Sequence, residues 1–168
     1  RKLEQIEEYI ADGSYFTINR ARQFGKTTTL DLLFNRLSDR YVVIQLSFEI
    51  GDTIFDSVKG FCDGFDEKIS NAFGLTPEQV VFWKNEMKTD SFEGLSAKIT
   101  AFCSAQTKPV VLLVDEVDKS TDNQLFLNFL GMLRNKYLER SRRGMNSTFH
   151  CVILAGVYDV KNLKLKLR

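Results

Sequence analysis

The chain is short of most features that mark secreted, fibrous, membrane or metal-binding proteins. Its three cysteines, Cys62, Cys103 and Cys151, are odd in number and far apart, which excludes a dense disulfide framework and shows no metal-ligand spacing. Each falls in an apolar stretch, so buried reduced thiols in a cytoplasmic protein are expected. Two prolines among 168 residues exclude a proline-rich, low-complexity chain. The longest strand-like apolar run, Val110 to Val114, is far too short to span a bilayer, and no signal peptide is visible. Charge is nearly balanced: 23 Lys and Arg against 22 Asp and Glu give a net +1. No overall basic footprint favours nucleic acid. His150, the only histidine, has no Cys or carboxylate near it in sequence and reads as a strand residue. What is present, 43% hydrophobic and 27% charged residues, suits one folded domain that buries about 70% of its unfolded surface.

The stretch from Tyr15 to Leu30 reads as strand, tight loop and helix. Tyr15 to Ile18 are aromatic or β-branched, as a buried strand wants. Leu30, Leu33, Phe34 and Leu37 then recur at i, i+3, i+4 and i+7, one apolar face of a helix. Between these two periods lies Gly25-Lys26-Thr27, the second half of the phosphate loop GxxxxGK[ST], or Walker A motif. At a helix N-terminus, backbone N–H groups and the helix dipole favour phosphate. Gly25 lets the backbone approach, Lys26 reaches the β/γ oxygens, and the Thr27 hydroxyl holds Mg²⁺. Arg20 stands where the motif has its first glycine. An Arg in a left-handed turn costs roughly 1–2 kcal/mol, so Arg20 and Arg22 are candidates for compensating through contact with phosphate.

The second chemical element is Val110-Val111-Leu112-Leu113-Val114-Asp115-Glu116. Five apolar residues bounded by Pro109 and by charge describe a strand buried on both faces of a parallel sheet. Ligands bind at the carboxyl ends of such strands. There Asp115 is suited to hold Mg²⁺ and Glu116 to orient and deprotonate an attacking water, the Walker B role. Each motif alone has a bland alternative, a solvated lysine or a solvated strand end; their pairing favours the nucleotide reading. Asn135-Lys136 lies in a helical pattern with Leu138 where a GTPase base-reading motif needs Asp.

The run Arg20-Ala21-Arg22-Gln23-Phe24-Gly25-Lys26-Thr27, with Leu112-Leu113-Val114-Asp115-Glu116 and the later ILAGVYDV segment, resembles the bacterial predicted AAA-ATPase, or AAA-like domain, family. The adjacent Glu116 is similar to the additional glutamate of one division of P-loop ATPases. The resemblance implies an α/β fold: a P-loop NTPase three-layer αβα sandwich with a mostly parallel sheet, the phosphate-loop strand central and the His150 strand between it and the Asp-Glu strand. A fifth strand and a helical lid are expected beyond Arg168. It also implies ATP and Mg²⁺ as cofactors. The nucleotide-binding set is Arg20, Arg22, Gln23, Phe24, Gly25, Lys26, Thr27 and Thr28, with Thr27 and Asp115 on the metal and Glu116 and Lys26 catalytic. Tyr158 and Asp159 stand where related ATPases keep a γ-phosphate sensor. The expected activity is Mg-dependent ATP hydrolysis coupled to an unknown output. A switch or interaction module with little turnover is the alternative, and a nucleic-acid-associated motor fragment is the second. A homo-oligomer or a C-terminal domain partner is expected to supply the arginine finger that no cis residue offers.

The one domain, residues 1–168, carries a helical insertion at about residues 52–106. Leu3, Ile6 and Ile10 form a short opening stripe. Tyr41 to Phe48 reads as a second strand. Ile54, Val58, Phe61, Phe65, Ile69 and Phe73 form one continuous helical stripe. Thr76-Pro77-Glu78-Gln79 is a capping box with Pro at the first helical position. Asp90 and Glu93 repeat the cap before Phe92, Leu95, Ile99 and Phe102, and Thr121 to Gln124 caps the helix of Phe126, Phe129, Leu130 and Leu133. The insertion needs a cover, which places Phe82 and Trp83 at the surface or against a neighbouring subunit. Arg140-Ser141-Arg142-Arg143 complements a helix C-terminus, with phosphate or nucleic-acid contact as the sharper alternative. Thr148 to Ala155 is the last strand.

Overall fold

The computed structural model describes residues 2–19, 28–48, 55–86, 88–117, 120 and 122–156. In chain order they form α1 (Lys2–Ala11), β1 (Tyr15–Asn19), α2 (Thr28–Leu37), β2 (Val42–Ser47), α3 (Val58–Ser70), α4 (Pro77–Asn85), α5 (Phe92–Ala105), β3 (Val110–Asp115), α6 (Gln124–Leu138), α7 (Arg140–Arg143) and β4 (Cys151–Gly156). All strand pairs are parallel, in the order β1-β4-β3-β2. The strand after His150 therefore lies between the phosphate-loop strand and the Asp-Glu strand, as expected. Among the described strands β1 is at the edge rather than central.

The layers follow from the period of two along each strand. Leu112, Val114, Val152 and Leu154 face one cluster with α3, α5 and α6, through Phe61, Phe65, Ile99, Phe102, Phe129 and Leu133. Val111, Leu113, Cys151 and Ile153 face the other, with Ile6 and Ile10 of α1 and Leu30, Leu33 and Leu37 of α2. Both faces are covered, which is why β3 and β4 are buried at every residue. Among the described residues no helix is long and apolar enough to cross a membrane.

The insertion departs from the sequence expectation at its punctuation. The stripe does not run from Ile54 to Phe73 as one helix: Ile54 lies outside the described residues, Ser57 caps α3 by accepting the Gly60 N–H, and Asn71 closes it. Phe73 sits beyond that cap, 75% exposed, and its carbonyl accepts the Gln45 N–H of β2 at 3.4 Å. Gly74 follows with φ +101°, and a Cβ there would lie 1.8 Å from the Val43 carbonyl oxygen. Only glycine fits so close to a strand. The Thr76/Gln79 capping box is present. The α5 cap is Ser91, not Asp90, and the α6 cap is Asn123, with Thr121 outside the described residues. In both cases several capping types stand side by side, and sequence alone does not choose among them.

Trp83 also overturns an expectation. It is 1% exposed, packed against Phe65 and Phe102 at centroid distances of 6.2 and 5.6 Å. Its Nε1 donates to Asp66 Oδ1 at 3.2 Å. Lys98 reaches the same oxygen at 3.2 Å and stands 4.8 Å from the Trp83 ring centroid. Thus α4 packs on α3 and α5, and the cover for their stripes comes from the chain itself. Phe82 is half-buried against the same core.

Within the Arg140–Arg143 cluster, Arg140 has a structural role. Arg140 is buried, stacks 4.2 Å from the Tyr137 centroid and donates to the carbonyls of His150 and Gly13. His150 lies just before β4 rather than in it; its Nε2 is 2.7 Å from the Ile10 carbonyl oxygen and its ring stacks on Tyr41. Burial pushes its pKa below the usual value, the Ile10 bond opposes this, and the Arg140 charge adds to the fall. The unfolded chain therefore takes up a proton at about pH 6.5 where the folded chain does not. Stability is expected to drop as pH falls below that value, and His150→Gln should flatten this part of the curve. Urea midpoints measured on both chains between about pH 7 and 5 check it. The three cysteines are free and buried, and burial pushes the Cys103 thiol up to about 12.

Candidate functional site

The four described strands are all parallel, so the chain leaves β1 at Asn19, β3 at Asp115 and β4 at Gly156 on one side of the sheet. In register, Ser47 ends β2 directly beside Asp115. Asp115 is 6% exposed, its carbonyl accepts the Phe48 N–H at 3.0 Å, and its Oδ1 accepts the Glu116 N–H at 2.7 Å. The strand stops there because Glu116 takes φ +57°. For a side chain with a Cβ that conformation costs roughly 1–2 kcal/mol. Such backbone persists where the surroundings fix it, and it clusters at functional sites.

What fixes Glu116 is Ser47. The Ser47 hydroxyl donates to Glu116 Oε1 at 2.8 Å, while Lys68 Nζ of α3 donates to the Ser47 carbonyl at 2.8 Å and lies 5.6 Å from the Phe48 ring centroid. Ser47, Lys68, Asp115 and Glu116 line a cleft of about 430 Å³ between α3 and the ends of β2 and β3, which also takes in Gln45, Glu67, Asn71 and Phe73. The arrangement offers two adjacent carboxylates, one oriented by a hydroxyl, with a cation on the α3 wall. It can hold a hard cation through Asp115 and present a carboxylate to a water molecule.

The structure brings Asp115 and Glu116 together at this cleft. Thr28 opens α2, as the helix after a phosphate loop should, but of its side chain nothing is described. Arg20, Arg22, Gln23, Phe24, Gly25, Lys26 and Thr27 lie outside the described residues, and so do Tyr158 and Asp159. Ser47 and Lys68 escaped the sequence reading. Ser47 was visible only as the polar end of an apolar strand, and its partner depends on the β2–β3 register. Nothing in the sequence separates Lys68 from a solvated lysine beside a helical stripe.

Two solved structures show the same fold. One, titled as Drosophila ORC bound to poly(dA/dT) DNA and Cdc6, has a TM-score of 0.54 at 12% identity, over 96% of this chain and 25% of that one. The other, titled as the Aeropyrum pernix ORC2 protein in ADPNP-ADP complexes, has a TM-score of 0.51 at 13% identity, over 95% of this chain and 40% of that one. The chain thus spans well under half the length of either. No curated protein matches it in sequence. The parallel sheet with helices on both faces is that of the P-loop ATPase fold. The profile of the AAA-like domain family matches residues 2–164, and the chain belongs to that family.

Proposed function

We propose that this ATPase-type domain binds ATP with Mg²⁺ and, in its assembled form, hydrolyses it. The observation that carries the reading is the Ser47–Glu116 bond beside Asp115: a carboxylate held at a strand end, in strained backbone, next to a buried second carboxylate. Asp115 fits the cation because carboxylate oxygen is the donor Mg²⁺ prefers, and one or two such groups suffice when water completes the shell. When bound, Mg²⁺ neutralises charge developing on the phosphates. The chain's own residues do the rest. Lys26 and the N–H groups around Gly25 bind phosphate, with Arg20, Arg22, Gln23, Phe24 and Thr28 forming the remainder of the loop. Thr27 and Asp115 hold the metal. Glu116 uses Oε2, which has no partner among the described residues, to orient water and accept its proton, while Ser47 holds Oε1. Tyr158 or Asp159 senses the γ-phosphate.

Residues 1–168 then constitute the catalytic domain, with the segment at about 52–106 as its insertion. Turnover in an assembly draws on an arginine from a neighbouring subunit or domain, a contribution worth roughly 10³–10⁵ in rate. The relatives in complex with nucleotide or DNA make a nucleoside triphosphate the first ligand to try and nucleic acid the second. Lys26→Ala is expected to weaken MgATP binding by about tenfold or more, the loss of a charge-assisted contact. Equilibrium titration with a fluorescent ATP analogue tests this, and an unchanged affinity removes the phosphate-loop assignment.

A further inference from the structure

A second cleft, of about 620 Å³, opens between α5 and α6 and is bounded by α7. It is built by residues late in α6, a helix that starts after the carboxyl end of β3 and runs back. It therefore lies toward the opposite end of the sheet from Asp115 and Glu116. Its floor holds Lys136, only 8% exposed. The ammonium donates to the Ser96 carbonyl at 2.9 Å and to Thr100 Oγ1. Thr100 gives its own proton to the Ser147 carbonyl, so it meets Lys136 with a lone pair. Both acceptors are neutral. The third N–H of the ammonium has no acceptor among the described residues.

The other buried lysine among the described residues, Lys98, shows what is missing. Lys98 has the Asp66 carboxylate at 3.2 Å and the face of Trp83, whereas Lys136 has no carboxylate within ion-pair distance among the described residues. The acid beside it, Glu139, pairs with Arg143 Nε at 3.2 Å and reaches Lys136 only through its charge from beyond ion-pair distance. Arg143 also lines the cleft, and its two terminal amino groups are without partners among the described residues. Glu93 lines the cleft too, but it is exposed, where water screens its charge. A buried cation lacking an anion is costly. Burial lowers the Lys136 pKa and the Arg143 charge adds to the fall, outweighing the opposing Cys103 and Glu139, a direction that a bound anion would reverse.

We propose that this cleft binds a small oxyanion, the phosphate or carboxylate group of a small molecule, with Lys136 as the buried anchor and Arg143 reaching in from the rim. The inference does not rest on the nucleotide reading. Inorganic phosphate and succinate are the probes, titrated calorimetrically into the full chain carrying Lys26→Ala, so that the phosphate loop does not contribute. One of them is expected to bind at one site per chain. Lys136→Met in that background should weaken binding by about tenfold or more and Arg143→Gln by less. Lys136→Met should melt at or above the parent temperature, because an unpaired buried charge is removed. If Lys136→Met fails to fold, protection of Lys136 from acetic anhydride by the bound anion, read by mass spectrometry and reduced by Arg143→Gln, gives the same answer without altering the floor. Binding of phosphate alone identifies a phosphoryl group as the ligand's anion, and binding of succinate alone a carboxylate. If neither binds, or if binding and protection ignore both substitutions, the site is overturned.

Discussion

Glu116→Gln is expected to lower kcat for ATP by a factor on the order of 10² or more while leaving ATP affinity nearly intact. The amide keeps the size of the carboxylate and can still meet the Ser47 hydroxyl, which donates to Oε1. What it loses is the capacity to take a proton from water. Asp115→Asn should behave differently, weakening Mg-dependent binding itself, because its carboxylate is the buried oxygen donor at the end of β3. Steady-state hydrolysis by the assembled protein, beside equilibrium binding, separates the two. Full activity of Glu116→Gln would refute its role as base, and equal loss of affinity in both variants would assign both carboxylates to the metal.

Trp83→Ala should lose about 3–5 kcal/mol of folding stability, the range for deleting a large buried aromatic. The loss has two parts. Removing the indole opens a cavity between Phe65 and Phe102, and it takes away the face against which Lys98 lies. Trp83→Phe should recover most of the packing but not the bond to Asp66. Chemical denaturation of the three chains measures both parts. A midpoint for Trp83→Ala within experimental error of the parent would mean that α4 is an ornament on the insertion rather than its keystone.

Much of this architecture was legible in the order of apolar and polar residues. Leu30, Leu33 and Leu37 had to share one helix face, and Val110 to Val114 had to be buried on both sides, because no other packing hides them. The Asp-Glu pair was placed at a strand end by the same logic. Trp83 was misplaced for a physical reason: the sequence showed stripes needing a cover but not where the cover came from, and α4 itself carries only a weak apolar face. Its polar partners, Asp66 and Lys98, lie on two other helices. The Ser47–Glu116 bond was invisible for a related reason, since it joins residues 69 positions apart and exists only in one register of two parallel strands. Caps were misread where Asp90 and Ser91 compete, a choice that backbone angles make.

The outer side of β2 carries one more consequence. Its outward Gln45 N–H is taken by Phe73, its Ser47 carbonyl by Lys68, and its Val43 carbonyl is crowded by Gly74. A strand from another molecule would have to displace these contacts, which disfavours intermolecular zippering along the described part of this margin. Copies of the chain that meet on this flank must do so through side chains on helices and turns, such as the protruding Phe73 ring. Such contacts form and break without unpicking a hydrogen-bonded ribbon.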